Sequence, residues 1–152
     1  MSSLPIVRKA SPRDPSAVAL LTESHEYLAS KYPPEDNHFL SIDDLCSPAI
    51  TFWLVSVDTR DLGCVAMANK GDYAEIKSMY VSPAARGKGV GAALLDTLLA
   101  EAKAQKLPRL RLETGDDLFA AHRLYERFGF RVCGPFGTYV EGPHSVFMER
   151  EI

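Results

Sequence analysis

Residues 74–105 constrain the fold more than any other stretch of the chain. Ala74-Glu-Ile-Lys-Ser-Met-Tyr-Val81 is β-branched and aromatic around Ile76, Tyr80 and Val81, which predicts a strand. Ser82-Pro-Ala-Ala-Arg86-Gly-Lys-Gly-Val-Gly91 is turn chemistry, with Gly87, Gly89 and Gly91 flanked by Arg86 and Lys88. Beyond it Val90, Leu94, Leu95, Leu98, Leu99 and Ala102 recur at helical spacing, while Asp96, Thr97, Glu101 and Lys103 take the other face. That pattern predicts an amphipathic helix to about Gln105. No Ser, Thr, Asp or Asn stands at its cap, so its first N–H groups lack a side-chain partner. An anionic ligand can fill that role, helped by the helix dipole.

The rest of the chain frames this unit. Leu4–Lys9 predicts a short strand, and Ser11-Pro-Arg-Asp-Pro-Ser16 a turn into a helix over 16–31, with Val18, Leu21, His25 and Leu28 on one side. Tyr32-Pro33-Pro34 stops it, a polar loop follows, and Ser41 caps a short helix to Leu45. Strands are expected over 50–57 and 62–68, joined by a turn at Asp58–Asp61. After the glycine helix come a strand over 109–114, a helix opened by Gly115-Asp-Asp117 and stopped by Gly129, and strands at 130–133 and 145–149. The order is β, two helices, a β-meander, then β-α-β-α-β-β: a mixed α/β fold in one domain over 1–152, consistent with a length of 152 residues.

Composition narrows the function classes. The chain is 46% hydrophobic and 24% charged, ordinary globular values. No apolar run reaches membrane-spanning length, and the first residues show no secretory pattern, so a cytoplasmic location without membrane contact is expected. A net charge of −3 argues against nucleic-acid binding. Cys46, Cys64 and Cys133 are odd in number and far apart, which fits reduced, mostly buried thiols. No His, Cys and Asp cluster has metal-ligand spacing, so no metal is expected.

The glycine turn admits several phosphate readings. A Walker loop fails, since Gly89 follows Lys88 and Ser82 stands where its first glycine belongs. Gly87-x-Gly89-x-x-Ala92 fits the dinucleotide fingerprint, with Glu113 near the ribose-binding position. Against it, five residues separate Val81 from Gly87, and too little chain follows Glu113 for a doubly wound sheet. A ligand-free surface turn is the remaining alternative.

Arg86-x-x-Gly89-x-Gly91 after Met-Tyr-Val-Ser-Pro, together with Leu124-Tyr125-Glu-Arg-Phe-Gly129-Phe130, resembles the GNAT superfamily of acetyl-CoA-dependent N-acetyltransferases. The two motifs cover about 74–131. Tyr32-Pro-Pro-Glu, the Glu75-Ile-Lys stretch, Arg111-Leu-Glu-Thr-Gly115, Cys133-Gly-Pro-Phe136 and Ser145–Glu149 further resemble a bacterial subgroup whose members carry names including indoleacetate acetyltransferase. The resemblance implies a central, mostly antiparallel mixed sheet with a V-shaped splay, flanked by about four helices. It implies acetyl-CoA as co-substrate, its pyrophosphate on the backbone of Arg86, Gly87, Lys88, Gly89, Val90 and Gly91. The pantetheine arm would pair with Met79, Tyr80 and Val81, and Glu113 and Thr114 would lie beside it.

It also implies roles for single residues. Tyr125 becomes the general acid for the leaving sulfur, and the N–H near Met79 the donor to the carbonyl oxygen. Glu75 occupies the position of a base in some members, with Glu113 the competitor and a paired carboxylate the alternative for both. Many members carry Asn seven residues before the motif tyrosine; here Leu118 stands there. Tyr32, Glu35, His38 and Tyr139 are the candidate acceptor contacts, with His144 beside them, while His25 and His122 read as structural. The expected function is direct acetyl transfer to a primary amine of a small molecule or protein. A non-catalytic acyl-CoA sensor is the alternative from another class, and the C-terminal strands suit a homodimer.

Overall fold

The computed structural model describes residues 4–152; Met1 to Ser3, part of the stretch read for a secretory pattern, lie outside them. The chain runs β1 (Ile6–Lys9), α1 (Pro15–Lys31), a 3-10 turn (Pro34–Asp36), α2 (Ile42–Leu45), β2 (Ile50–Val57), β3 (Arg60–Asn69) and β4 (Ala74–Val81). A second 3-10 turn (Pro83–Ala85), α3 (Val90–Ala104), β5 (Arg109–Gly115), α4 (Phe119–Arg127), β6 (Arg131–Cys133) and β7 (Ser145–Glu151) complete it. All strands join one sheet in the order β1-β2-β3-β4-β5-β7-β6. Every pairing is antiparallel except β4 with β5. The predicted element order and sheet type are those observed.

Alternation along the strands separates two hydrophobic layers. Trp53, Val55 and Val57 of β2 and Val65 and Met67 of β3 pack with Val90, Leu94, Leu95, Leu98 and Ala102 of α3. Phe52, Leu54, Cys64 and Ala66 point the other way, onto Ala17, Leu20 and Leu21 of α1 and onto Leu45. Both faces being covered explains why β2 and β3 read as continuous apolar runs. Asp58 and Thr59 have φ of 51° and 68° between the paired Val57 and Arg60. This is a tight two-residue hairpin turn that follows the sheet twist.

The site is created by two irregularities in β4. Ala66 pairs with Lys77 and Cys64 with Tyr80, so Val65 alone opposes both Ser78 and Met79. That is a β-bulge, and Ser78 carries it at φ 54°. The extra residue resets the alternation: Ala74 and Ile76 before it and Met79 and Val81 after it all pack on the α3 layer. β4 then pairs with β5 only at Ala74–Leu110 and Glu75–Arg111. Past that point the two strands part, which is the splay the family resemblance implies.

Three expectations need correction. Helix α4 starts at Phe119, because Asp116 and Asp117, read as its opening, bond elsewhere: Asp117 to Tyr32 and Lys31, Asp116 to His144. The buried stripe of α1 is Ala17, Leu20, Leu21 and Ser24, while Val18, His25 and Leu28 are half-buried. Cys64 is buried, but Cys133 is intermediate and Cys46 exposed. Cys46 follows the four-residue α2, too short to cover it.

Candidate active site

The parting of β4 and β5 opens a cleft of about 840 Å³. Met79, Tyr80 and Val81 line one side, Glu113 and Thr114 the other. Arg86, Gly87, Gly89, Val90 and Gly91 close one end; Lys88 is exposed and lies outside the lining.

The closing end has the chemistry of an anion cradle. Gly87 and Gly89 have φ of 76° and 75°, a conformation that costs glycine little. A Cβ at either would meet nothing within 4 Å, so both stand open to a ligand. Gly89 caps α3 with no side-chain bond, and helical bonding begins with the Ala93 N–H on the Gly89 carbonyl at 3.0 Å. The N–H groups ahead of it therefore carry the positive end of the helix dipole unshared. Gly91 serves packing instead: a Cβ there would approach Leu124 Cδ2 to 2.7 Å, so its absence lets α3 lie close to α4. These features fit the pyrophosphate of acetyl-CoA.

Tyr125 projects from α4 into the floor of the cleft, 6% exposed. Its hydroxyl donates to Met79 Sδ at 3.7 Å. Burial raises its pKa above the ordinary 10.0, so the phenol keeps its proton at neutral pH. Because its bond is to a weak sulfur acceptor, this protonated donor loses little when its hydroxyl turns to an arriving thiolate.

The two candidate carboxylates have different surroundings. Glu75 is 4% exposed and does not line the cleft. Its Oε2 accepts the Tyr139 hydroxyl at 2.6 Å, with Lys77 Nζ 3.5 Å away. Lys77 in turn donates to the Tyr139 oxygen at 2.7 Å and to the His38 carbonyl at 3.0 Å. Burial, then the bond to Glu75, raise the Tyr139 pKa. Glu113 faces the cleft; its Oε2 accepts the Ser145 hydroxyl at 3.0 Å and lies 3.6 Å from His38 Nδ1.

The other end is built from the loop after α1 and the start of β7. Tyr32 lines it, packs on Gly115, and donates to the Asp117 carboxylate, which also pairs with Lys31 at 2.9 Å. His38 lines it; Glu35 is exposed and outside the lining, and Tyr139 sits behind the wall on Glu75. His144 bridges Asp116 at 3.4 Å and Asp36 at 3.9 Å. Leu118 gives the cleft an apolar contact where the family pattern has an amide. His25 stacks on Phe39 at 4.1 Å and also lines the cleft, whereas His122 Nε2 lies 2.7 Å from the Gly115 carbonyl. Among the described residues no cluster of His, Cys, Asp and Glu could hold a metal.

Two participants escaped sequence reasoning. Ser78 carries the bulge in a left-handed conformation that serine rarely announces, and nothing in the sequence around Lys77 marks it as the centre of a cluster.

Comparison with known proteins agrees with this geometry. The model of the acetyltransferase (GNAT) family matches residues 16–130. The IAA acetyltransferase of Azospirillum brasilense is 39% identical over 148 residues, covering 96% of this chain and 97% of its own. The uncharacterised N-acetyltransferase YsnE of Bacillus subtilis is 38% identical over 138 residues, covering 89% and 91%. A solved structure from Klebsiella pneumoniae, of the acyl-CoA N-acyltransferase class, superposes with a TM-score of 0.80 at 27% identity over 97% of both chains. With kinship running nearly end to end, and a cleft at the strand splay that suits its co-substrate acetyl-CoA, the chain belongs to the GNAT family of acetyltransferases.

Proposed function

We propose that the protein moves the acetyl group of acetyl-CoA directly onto a primary amine of a small molecule or protein, with both substrates bound together. The observation that carries this reading is a pairing across the splay: the buried, protonated Tyr125 hydroxyl on one side and the cleft-facing Glu113 carboxylate on the other. Gly87, Gly89 and the first turn of α3 offer N–H groups and a dipole to the pyrophosphate. Met79, Tyr80 and Val81, past the last β4–β5 pair, offer free main-chain groups to the pantetheine arm as a partner strand would use them.

Acetyl transfer joins the amine nitrogen to the thioester carbonyl carbon and breaks the C–S bond. Tyr125 gives its O–H proton to the departing sulfur, and Glu113 takes the proton the amine loses. The Met79 N–H donates to the carbonyl oxygen as charge builds there. We assign the base to Glu113 over Glu75, because the Glu75 carboxylate is turned from the cleft and already bonded to Tyr139 beside Lys77. A cytoplasmic setting belongs to the same proposal, supported by the three free cysteines.

The test is thiol release from acetyl-CoA against spermidine, free amino acids, an aminoglycoside and N-terminal peptides. Release with one amine class, cut by Tyr125→Phe, is the expected result. Tight CoA binding with no thiol release from any amine would overturn the proposal in favour of an acyl-CoA sensor.

A further inference from the structure

We propose that Lys77 is a positioning residue, locking the loops 33–41 and 134–144 into one acceptor wall through a buried cluster with Glu75 and Tyr139. Calling this wall the acceptor side rests on the acetyltransferase reading above. The Lys77 ammonium donates to the His38 carbonyl at 3.0 Å and the Tyr139 oxygen at 2.7 Å, and pairs with the Glu75 carboxylate at 3.5 Å. Tyr139 passes its own proton on to Glu75 at 2.6 Å, closing the ring of contacts. The Lys77 and Glu75 side chains are 11% and 5% exposed, so the contacts among Lys77, Glu75 and Tyr139 face little competition from water, while the bond to the His38 carbonyl lies at the exposed rim. The partners lie 39 and 62 residues from Lys77. One ammonium on β4 therefore holds two loops that share no neighbouring sequence.

The arrangement fixes His38 in particular. Its carbonyl is held by Lys77, and its ring meets Tyr139 edge-on at 5.5 Å. With both ends held, the imidazole Nδ1 stands 3.6 Å from Glu113, the carboxylate facing the amine. Lys77 borders the cleft, but its ammonium is taken up by the His38 carbonyl, Tyr139 and Glu75, so it acts through His38 and Glu113. Glu75 serves as counter-ion to a buried ammonium, which explains a carboxylate at 4% exposure behind the wall of the cleft.

The experiment compares wild type, Lys77→Met and Tyr139→Phe as full chains, with and without CoA, by hydrogen exchange and mass spectrometry. Lys77→Met should speed exchange about tenfold in 33–41 and 134–144 together, the size expected for a lost buried hydrogen bond. Tyr139→Phe, a milder change should Lys77→Met not fold, is expected to loosen the same two segments. In both, exchange in β2, β3 and α3 and the Kd for CoA should stay within about twofold of wild type. A spectroscopic arm adds a readout that general loosening would not give: Glu113→Gln should shift the His38 imidazole NMR signal in wild type but not on a Lys77→Met background. Loosening of one loop alone or of neither, sheet exchange rising in step, or an undiminished His38 shift on the Lys77→Met background would overturn the proposal. No arm needs turnover, so failure to find an amine substrate would count against the acetyltransferase reading and leave this one standing.

Discussion

Tyr125→Phe isolates the proposed acid with unusually little collateral change. The ring stays: it packs at a centroid distance of 5.7 Å from Phe130 inside the α3 layer, and phenylalanine keeps that contact. What leaves is one O–H whose bond is to a thioether at 3.7 Å. A neutral hydrogen bond is worth about 1 kcal/mol, and one to sulfur less, so Tm should hardly move. The glycine turn proposed to hold CoA is untouched, so the Kd for CoA should stay within about twofold. Turnover should fall far more, since a positioned general acid contributes about 100-fold or more. That corresponds to a barrier higher by roughly 3 kcal/mol. The assay is thiol release at saturating acetyl-CoA with the best amine of the panel, beside a thermal scan and a CoA titration. The pH profile adds a sign check. Burial raises the phenol above 10.0, so loss of the acid form through Tyr125 ionisation belongs above pH 10 and should be absent from the variant. Turnover within about threefold of wild type would refute the assignment. A kcat loss matched by a rise in the Kd for CoA would make the hydroxyl a binding group instead.

Glu113→Gln should lower kcat about 100-fold, whereas Glu75→Gln should act mainly on the KM of the amine; steady-state kinetics with each variant decides between them. Gly63→Ala should destabilise by about 1–3 kcal/mol by overpacking, read as a lower urea midpoint, because its Cβ would meet Val55 Cγ1 at 2.9 Å and the Tyr80 carbonyl at 3.0 Å. Burial pushes the Cys64 thiol from 9.0 and the Tyr80 phenol from 10.0 up to about 12. The unfolded chain therefore loses these protons first. Stability should be intact below pH 9 and fall as pH rises toward 12, and Cys64→Ala should flatten part of that slope in urea titrations.

The elements that local pattern controls were legible. β4 carries its own β-branched signature and α3 its own apolar stripe, and both have the bounds expected to within a residue. The uncapped start of α3 was legible for the same reason, since a missing cap is visible in four residues. What was not legible depends on partners distant in sequence. Asp116 and Asp117 look like a helix opening until His144 and Tyr32 claim them. His25 has the spacing of a core residue on α1, but the parting of β4 from β5 leaves it at a cleft. Cys46, grouped with mostly buried thiols, is exposed, because no distant segment among the described residues covers the end of α2.

Glu75 and Glu113 make the same point about chemistry. Each sits on one of the two strands that part, each has a basic residue nearby in sequence, and either position suits a base. The difference comes from two segments of chain far from both. Residues 134–144 bring Tyr139 down onto Glu75, and Lys77 completes its coordination. Ser145, at the start of β7, and His38 reach Glu113 without covering it. Taking a carboxylate and an ammonium out of water costs several kcal/mol each, and their attraction seldom more than offsets it. A pair retained under that penalty gains its value from the geometry it imposes. Here that geometry is the wall against which, in the proposed reaction, the open carboxylate Glu113 would meet an incoming amine.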